Sequence, residues 1–134
     1  MAELPAITDS DYSPLVIDHF ERPRNVGTLA TAPDVIVGRA GRRDHGAEFA
    51  ISARIANEVI AEARFEAYGC PHCVAAGSWL AVSLVGADRQ RVQRWSWRDL
   101  ADALEIPTAK RGRLLILEDA VRALAEEWRV RAKV

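Results

Sequence analysis

Both cysteines of the chain lie in one four-residue string, Cys70-Pro71-His72-Cys73, so all of its thiol chemistry is confined to one turn. Two thiols at this spacing can clamp a metal ion between thiolates or close into a disulfide, and the spacing alone allows both. A strand-like stretch ends at Tyr68-Gly69 and a helix-like stretch begins around Pro71, which puts Cys70 at or just before a helix N-terminus. Unpaired backbone N–H groups and the helix dipole favour negative charge there, lowering a cysteine pKa and making Cys70 reactive or coordinating. Buried cysteines acting as small apolar residues are the plainer alternative. Pro71 has no N–H to lose in a first turn, and Cys73, about one turn on, reaches the same ion.

The remaining soft or borderline ligands are imidazoles. His45-Gly46 follows Gly41-Arg42-Arg43-Asp44, a composition suited to a tight connection between the first two strands. In an antiparallel meander that connection lies at the end of the sheet where the third strand delivers Cys70. Cys70, Cys73 and His45, with a fourth position open, would suit zinc or one iron of a small cluster. A solvated loop histidine fits the same residues equally well. Asp44 and Glu48 stand ready to orient the His45 ring or complete the shell. His72 is offset by about 100° from Cys73 if the turn is already helical, so a solvated or outer position is its first reading and ligation its second. His19 reads as a packing or hydrogen-bonding residue.

These side chains need a frame, and the sequence predicts one. Ser13 and Pro14 mark a helix start, Leu15, Val16, His19 and Phe20 recur at helical spacing, and Pro23 ends the element. Arg24-Asn25-Val26-Gly27 reads as a turn into a looser segment running to Pro33. Strands follow over 35–39 and 49–55. A third has Val59, Ala61, Ala63, Phe65 and Ala67 alternating against Glu62, Arg64 and Glu66. Ala56-Asn57-Glu58 makes a hairpin turn. Residues 74–85 read as a buried helix and 96–104 as a short helix capped by Ser96, with Asp99 in its first turn. After Pro107, Leu114, Leu117, Val121, Leu124 and Trp128 form one stripe of a last helix. The class is α+β: an N-terminal helix, a three-stranded antiparallel meander, then helices packed on one face.

With 134 residues the chain fits a single domain, residues 1–134, with 1–11 as a loose leader. A domain of this size buries a sufficient core without disulfide staples, and a bridge across two intervening residues removes little chain entropy. Eighteen basic and nineteen acidic side chains leave a formal charge of −1, so no global field gathers nucleic acid or anionic lipid. No apolar run approaches the roughly 20 residues of a membrane span, and residues 1–11 lack the features of a signal peptide. The expectation is a cytoplasmic protein, a monomer or weak homo-oligomer, with its thiols reduced unless they are catalytic.

Tyr12-Ser13-x-x-Val16-x-Asp18-His19-Phe20-x-x-Pro23-Arg24-Asn25-Val26-Gly27 is a specific signature. It is followed in order by Gly38-Arg39-Ala40-Gly41, Ala63-Arg64-Phe65-Glu66-Ala67-Tyr68-Gly69-Cys70, Ala75-Ala76-Gly77-Ser78 and Leu117-Glu118-Asp119-Ala120. On these blocks the chain after residue 11 resembles the U-type iron–sulfur cluster assembly scaffolds, the IscU family and the N-terminal domain of NifU. The resemblance implies the compact α+β scaffold fold, with partners that include a cysteine desulfurase and other assembly proteins. It also implies a labile [2Fe-2S] cluster or a zinc ion held by three cysteines, assisted by an aspartate and a histidine.

The chain departs from that ligand set. Of the three family cysteines it keeps Cys70. The Cys-Gly-Asp turn is replaced by His45-Gly46-Ala47, and the His-Cys pair falls on Gly112-Arg113. Arg113 cannot bind a cation and places positive charge beside the old site. His72 and Cys73 are additions, which reads as a rebuilt site. Ile106-Pro107-Thr108-Ala109-Lys110 keeps only the first proline and the lysine of the chaperone-recognition stretch, and reads as an inter-helix loop.

Three functions are compatible with this pattern. The first is a scaffold-like protein, with no turnover of an organic substrate, that holds or passes on iron and sulfur through Cys70, Cys73 and His45, with His72 as a further cofactor-binding candidate. Its cargo would be iron or a [2Fe-2S] cluster, with zinc in the isolated protein. The second is a thiol–disulfide redox protein using Cys70-Pro71-His72-Cys73, a string shared with DsbA-type oxidoreductases, although nothing else predicts a thioredoxin fold. The third is a regulatory relative that binds no cluster and docks through exposed Trp95 and Trp97 or the basic stretch 129–133, residues that core packing and a solvated helix tail explain as well.

Overall fold

A computed structural model describes residues 12–132; the leader expected over 1–11 and Lys133 of the basic end lie outside the described residues. The first helix, α1 (Pro14–Glu21), starts as its sequence dictates. The Ser13 hydroxyl accepts a hydrogen bond from the Val16 backbone N–H at 3.2 Å and donates to the Leu104 carbonyl oxygen at 2.6 Å. Strands β1 (Val35–Arg42), β2 (Ala47–Ala56) and β3 (Val59–Tyr68) form one antiparallel sheet in that order. The expected meander is therefore present, with β1 and β2 longer than their sequence patterns suggested.

The β2–β3 turn uses Asn57 and Glu58 at φ 53° and 64°, the two left-handed residues of a two-residue hairpin whose twist matches the strands. A bulge then changes what faces the core. Arg54 pairs with Glu62 but Ile55 pairs with Ile60, leaving Ala61 unpaired. One extra residue flips every side chain beyond it, so Ile60 is buried and Ala61 exposed, the reverse of the simple alternation read for the start of this strand. Phe65 and Ala63, on the far side of the bulge, face the core as expected.

The segment read as a loose connection has a structural task. Asn25 and Gly27 bond to both backbone groups of Phe65 along the free edge of β3, and the Leu29 N–H donates to the buried Ser52 hydroxyl at 3.0 Å. An edge strand is thereby covered. Helix α2 (Pro71–Leu84) follows β3 directly. The short α3 (Arg89–Gln93), capped by the Asp88 carboxylate, is an element the sequence did not announce. Helix α4 (Trp97–Ala103) carries its expected Ser96 cap, a 3₁₀ turn spans Thr108–Lys110, and α5 (Gly112–Ala132) closes the chain.

The stripe Leu114, Leu117, Val121, Leu124 and Trp128 is buried, and it lays α5 against β1. Gly38 permits the approach, since a Cβ there would sit 2.2 Å from the Ala120 carbonyl oxygen. Trp95 and Trp97 are half-buried and packed on the core, which corrects the reading of both as exposed anchors. The Trp97 ring is further covered by the Arg98 guanidinium at 5.0 Å, and its backbone N–H is held by the buried Glu118 carboxylate at 2.9 Å. Among the described residues no helix is long and apolar enough to cross a membrane.

Candidate functional site

Strand β3, the 3₁₀ turn at Arg43–His45 and the start of α5 meet at the N-terminus of α2. Cys70 is the N-cap residue of α2, with extended backbone, and its side chain makes no capping bond, so its sulfur is free to act elsewhere. Cys73, one turn into the helix, is 1% exposed, while Cys70 is partly open to solvent. Their sulfurs stand 3.9 Å apart as free thiols. Gly69 makes this arrangement possible. A Cβ at position 69 would lie 2.6 Å from the Cys73 sulfur, so the sulfur occupies the volume that any other residue would need.

The two thiols are electrostatically unequal. The sulfur–sulfur contact with Cys73 is the main cause that holds Cys70 well below the ordinary thiol range. Burial opposes it, and a weaker contribution comes from His72, whose Nδ1 lies 4.0 Å from the Cys70 sulfur. The same contact, with burial adding to it, pushes Cys73 up. The asymmetry favours negative charge on Cys70 and the proton on Cys73.

Arg113, at the start of α5, answers that charge. Its guanidinium pKa is raised, first by the charge on Cys70 and next by Cys73. Its Nη2 also lies 3.8 Å from where a side chain at Gly46 would begin. Arg113 thus stands between the sulfur pair and the turn that carries His45, where the sequence comparison placed a positive charge.

Of the predicted site residues, the structure brings together Cys70, Cys73 and His72. Of the solvated and outer positions read for His72, the solvated one is corrected: it is 3% exposed, covered by the Tyr12 ring at a centroid distance of 4.7 Å, and its Nε2 has no hydrogen-bond partner among the described residues. His45 is not brought in. It is exposed on the 3₁₀ turn, and among the described residues no three His, Cys, Asp or Glu side chains converge as a ready metal-ion group. The carboxylates expected to orient the His45 ring are engaged otherwise, Asp44 with Arg42 at 2.8 Å and Glu48 with Arg43 at 3.4 Å. Arg43 also sits over the Tyr68 ring at 5.2 Å. The arginines of this turn claim its acids, and the turn faces solvent rather than the sulfurs.

Sequence reasoning missed two contributors, Gly69 and Tyr12. A glycine before a cysteine carries no sign that a sulfur four residues later will fill its Cβ position, and the Tyr12–His72 contact exists only because α1 packs on α2.

Comparison with known proteins places this geometry. The model of the NifU-like N-terminal domain matches residues 11–134. The iron–sulfur cluster assembly scaffold protein IscU of Escherichia coli K12 is 31% identical over 120 residues, 88% of this chain and 94% of that protein. Iron sulfur cluster assembly protein 1 of Trachipleistophora hominis is 30% identical over 119 residues, 88% and 86% of the two chains. The crystal structure of a nitrogen-fixing NifU-like protein, N-terminal part, from Brucella abortus superimposes with a TM-score of 0.59 at 17% identity. It covers 93% of this chain and 96% of that one, a likeness of fold.

Proposed function

The chain belongs to the family of NifU-like N-terminal domains, and on that premise we propose that it is an iron–sulfur cluster assembly scaffold whose cargo is held by a rebuilt, two-sulfur clamp, Cys70 and Cys73. The observation that carries this reading is the sulfur separation. Two thiolates bonded at about 2.3 Å to one tetrahedral ion stand about 3.8 Å apart, and here the sulfurs are 3.9 Å apart before any cargo is present. Soft thiolates suit iron, iron–sulfur clusters and zinc.

Binding asks little of the chain. The pair favours the thiolate at Cys70, and cargo displaces the protons that the two sulfurs still hold. His72 offers an imidazole nitrogen, with Nδ1 4.0 Å from the Cys70 sulfur. His45 joins the set only through movement of the Arg43–His45 turn, so its role is accessory, and the remaining positions fall to ligands that come with the cargo. Two thiolates outweigh the one guanidinium of Arg113, which keeps the site attractive to a cation while closing the place of a third protein thiolate. In this role the protein holds iron or a [2Fe-2S] cluster and passes it on, working with sulfur-donating and cluster-accepting assembly proteins such as a cysteine desulfurase.

Anaerobic reconstitution with ferrous iron and sulfide, and separately with zinc, followed by metal analysis of the desalted protein, tests the reading. Stoichiometric retention is expected in the unmodified chain and in His45→Ala, and loss in Cys70→Ser and Cys73→Ser. The reading fails if neither metal stays bound or if Cys70→Ser retains as much as the unmodified chain.

A further inference from the structure

We propose that Cys70 and Cys73 have a second activity, a reversible dithiol–disulfide couple that exchanges with low-molecular-weight disulfides, Cys70 attacking and Cys73 resolving. Three geometric observations assign the roles. Cys70 is the partly exposed thiol and Cys73 the buried one, so an incoming disulfide reaches Cys70 alone. The Cys70 sulfur is committed to no capping bond, so its side chain can turn without breaking the helix start. The two sulfurs are 3.9 Å apart, and a bridge needs about 2.0 Å, a closure of about 2 Å that one side-chain rotation supplies.

The chemistry balances as follows. The Cys70 thiolate attacks one sulfur of a small disulfide, forms a mixed disulfide and releases one small thiolate. Cys73 gives up its proton to that thiolate, attacks the Cys70 sulfur and expels the second small thiolate. The protein dithiol is oxidised by two electrons, and the small disulfide is reduced to one thiol and one thiolate. A small thiol in excess runs the sequence backwards. The loop closed is too short for chain entropy to resist opening, as a couple that must run both ways requires.

The couple also bears on cargo, and this extension rests on the scaffold reading above. A metal ion or cluster cannot occupy both sulfurs while they are bonded to each other, so oxidation empties the clamp and bound metal protects it. Gly69 bears on the same closure, because the Cys73 sulfur lies where a Cβ at 69 would be.

The test uses the full chain, stripped of metal by a chelator and equilibrated with mixtures of oxidised and reduced glutathione, read by intact mass after acid quenching. Loss of two hydrogens without an adduct is expected for the unmodified chain. A stable single glutathione adduct is expected for Cys73→Ser and no reaction for Cys70→Ser. Gly69→Ala, checked for folding by circular dichroism, is expected to shift the glutathione ratio at half-oxidation by about tenfold.

Two glutathione adducts on the unmodified chain, or no change in mass, would overturn the couple. In a second arm, protein preloaded with zinc is expected to oxidise more slowly and to release its zinc as it does. A chain that oxidises but never retained zinc or iron keeps the couple and sinks the scaffold reading. A chain that retains metal but does not oxidise does the opposite.

Discussion

Helix α2 is built differently at its start and at its middle. At Ser78 the hydroxyl is engaged on two sides: it lies 2.7 Å from His19 Nδ1 and accepts the Arg24 backbone N–H at 2.9 Å. The Arg24 and Arg22 side chains in turn grip Asp18, each at 2.7 Å. Two turns earlier, at Cys70, His72 and Cys73, the helix leaves a free thiol partly exposed and a buried ring nitrogen without a partner among the described residues. The middle of the helix belongs to a network that joins α1 to α2, in which Arg24 Nη1 is buried without a partner among the described residues, and His19, Arg24 and Ser78 lie in two of the blocks that carry the family resemblance. The start is open, and there the chain keeps the family cysteine Cys70 and adds His72 and Cys73. The difference is one of chemistry: the middle pairs donors with acceptors and so fixes packing, whereas the start presents a thiol to solvent beside a second, buried thiol.

That contrast can be broken by substitution. The largest loss of stability is expected away from both regions, in the shared frame: Leu124→Ala empties a fully buried position on α5 and should cost about 3 kcal/mol in urea unfolding, with cargo retention per folded chain unchanged. Ser78→Ala strands His19 and the Arg24 N–H and should cost about 2 kcal/mol, again without affecting retention.

A smaller effect is expected from pH, through His19. Burial, and secondarily the charge of Arg24, lowers its pKa below the ordinary 6.5. The unfolded chain therefore binds more protons than the folded one in the window below that value. Stability should be fully present above pH 6.5 and fall as pH drops toward the lowered folded value, with a shallower slope in His19→Asn. The smallest change in stability, within about 0.5 kcal/mol, is expected for Cys70→Ser, because its sulfur holds no capping bond. Its metal retention should nevertheless vanish. If Cys70→Ser instead unfolds the protein, or Ser78→Ala abolishes retention in folded chains, the two regions are not separable and the comparison fails.

Much of the frame was legible because it rests on local rules. The Ser13 and Ser96 caps, the buried stripe of α5, the hairpin at Asn57-Glu58 and the antiparallel order follow from residue type and period. The bulge at Ala61, the short α3 and the pairing of Asn25 and Gly27 with Phe65 were not legible, since each depends on a partner distant in sequence. The site divided in the same way. Cys70 and Cys73 sit one turn apart at a helix start, as their spacing required. The loop with His45 lies at the expected end of the sheet, but which way its side chains point was set by competition among Arg42, Arg43, Asp44 and Glu48.

The sequence by itself determined the fold class, the family and the placing of two thiols on one helical turn, because spacing and local propensity act over a few residues. Tertiary structure alone decided that Cys73 rather than Cys70 is buried and that His72 is drawn in while His45 stays out. It also set Arg113 against the sulfur pair. Those outcomes depend on which surfaces α1 and α5 cover once they pack, and on the Cβ volume that Gly69 leaves for a sulfur.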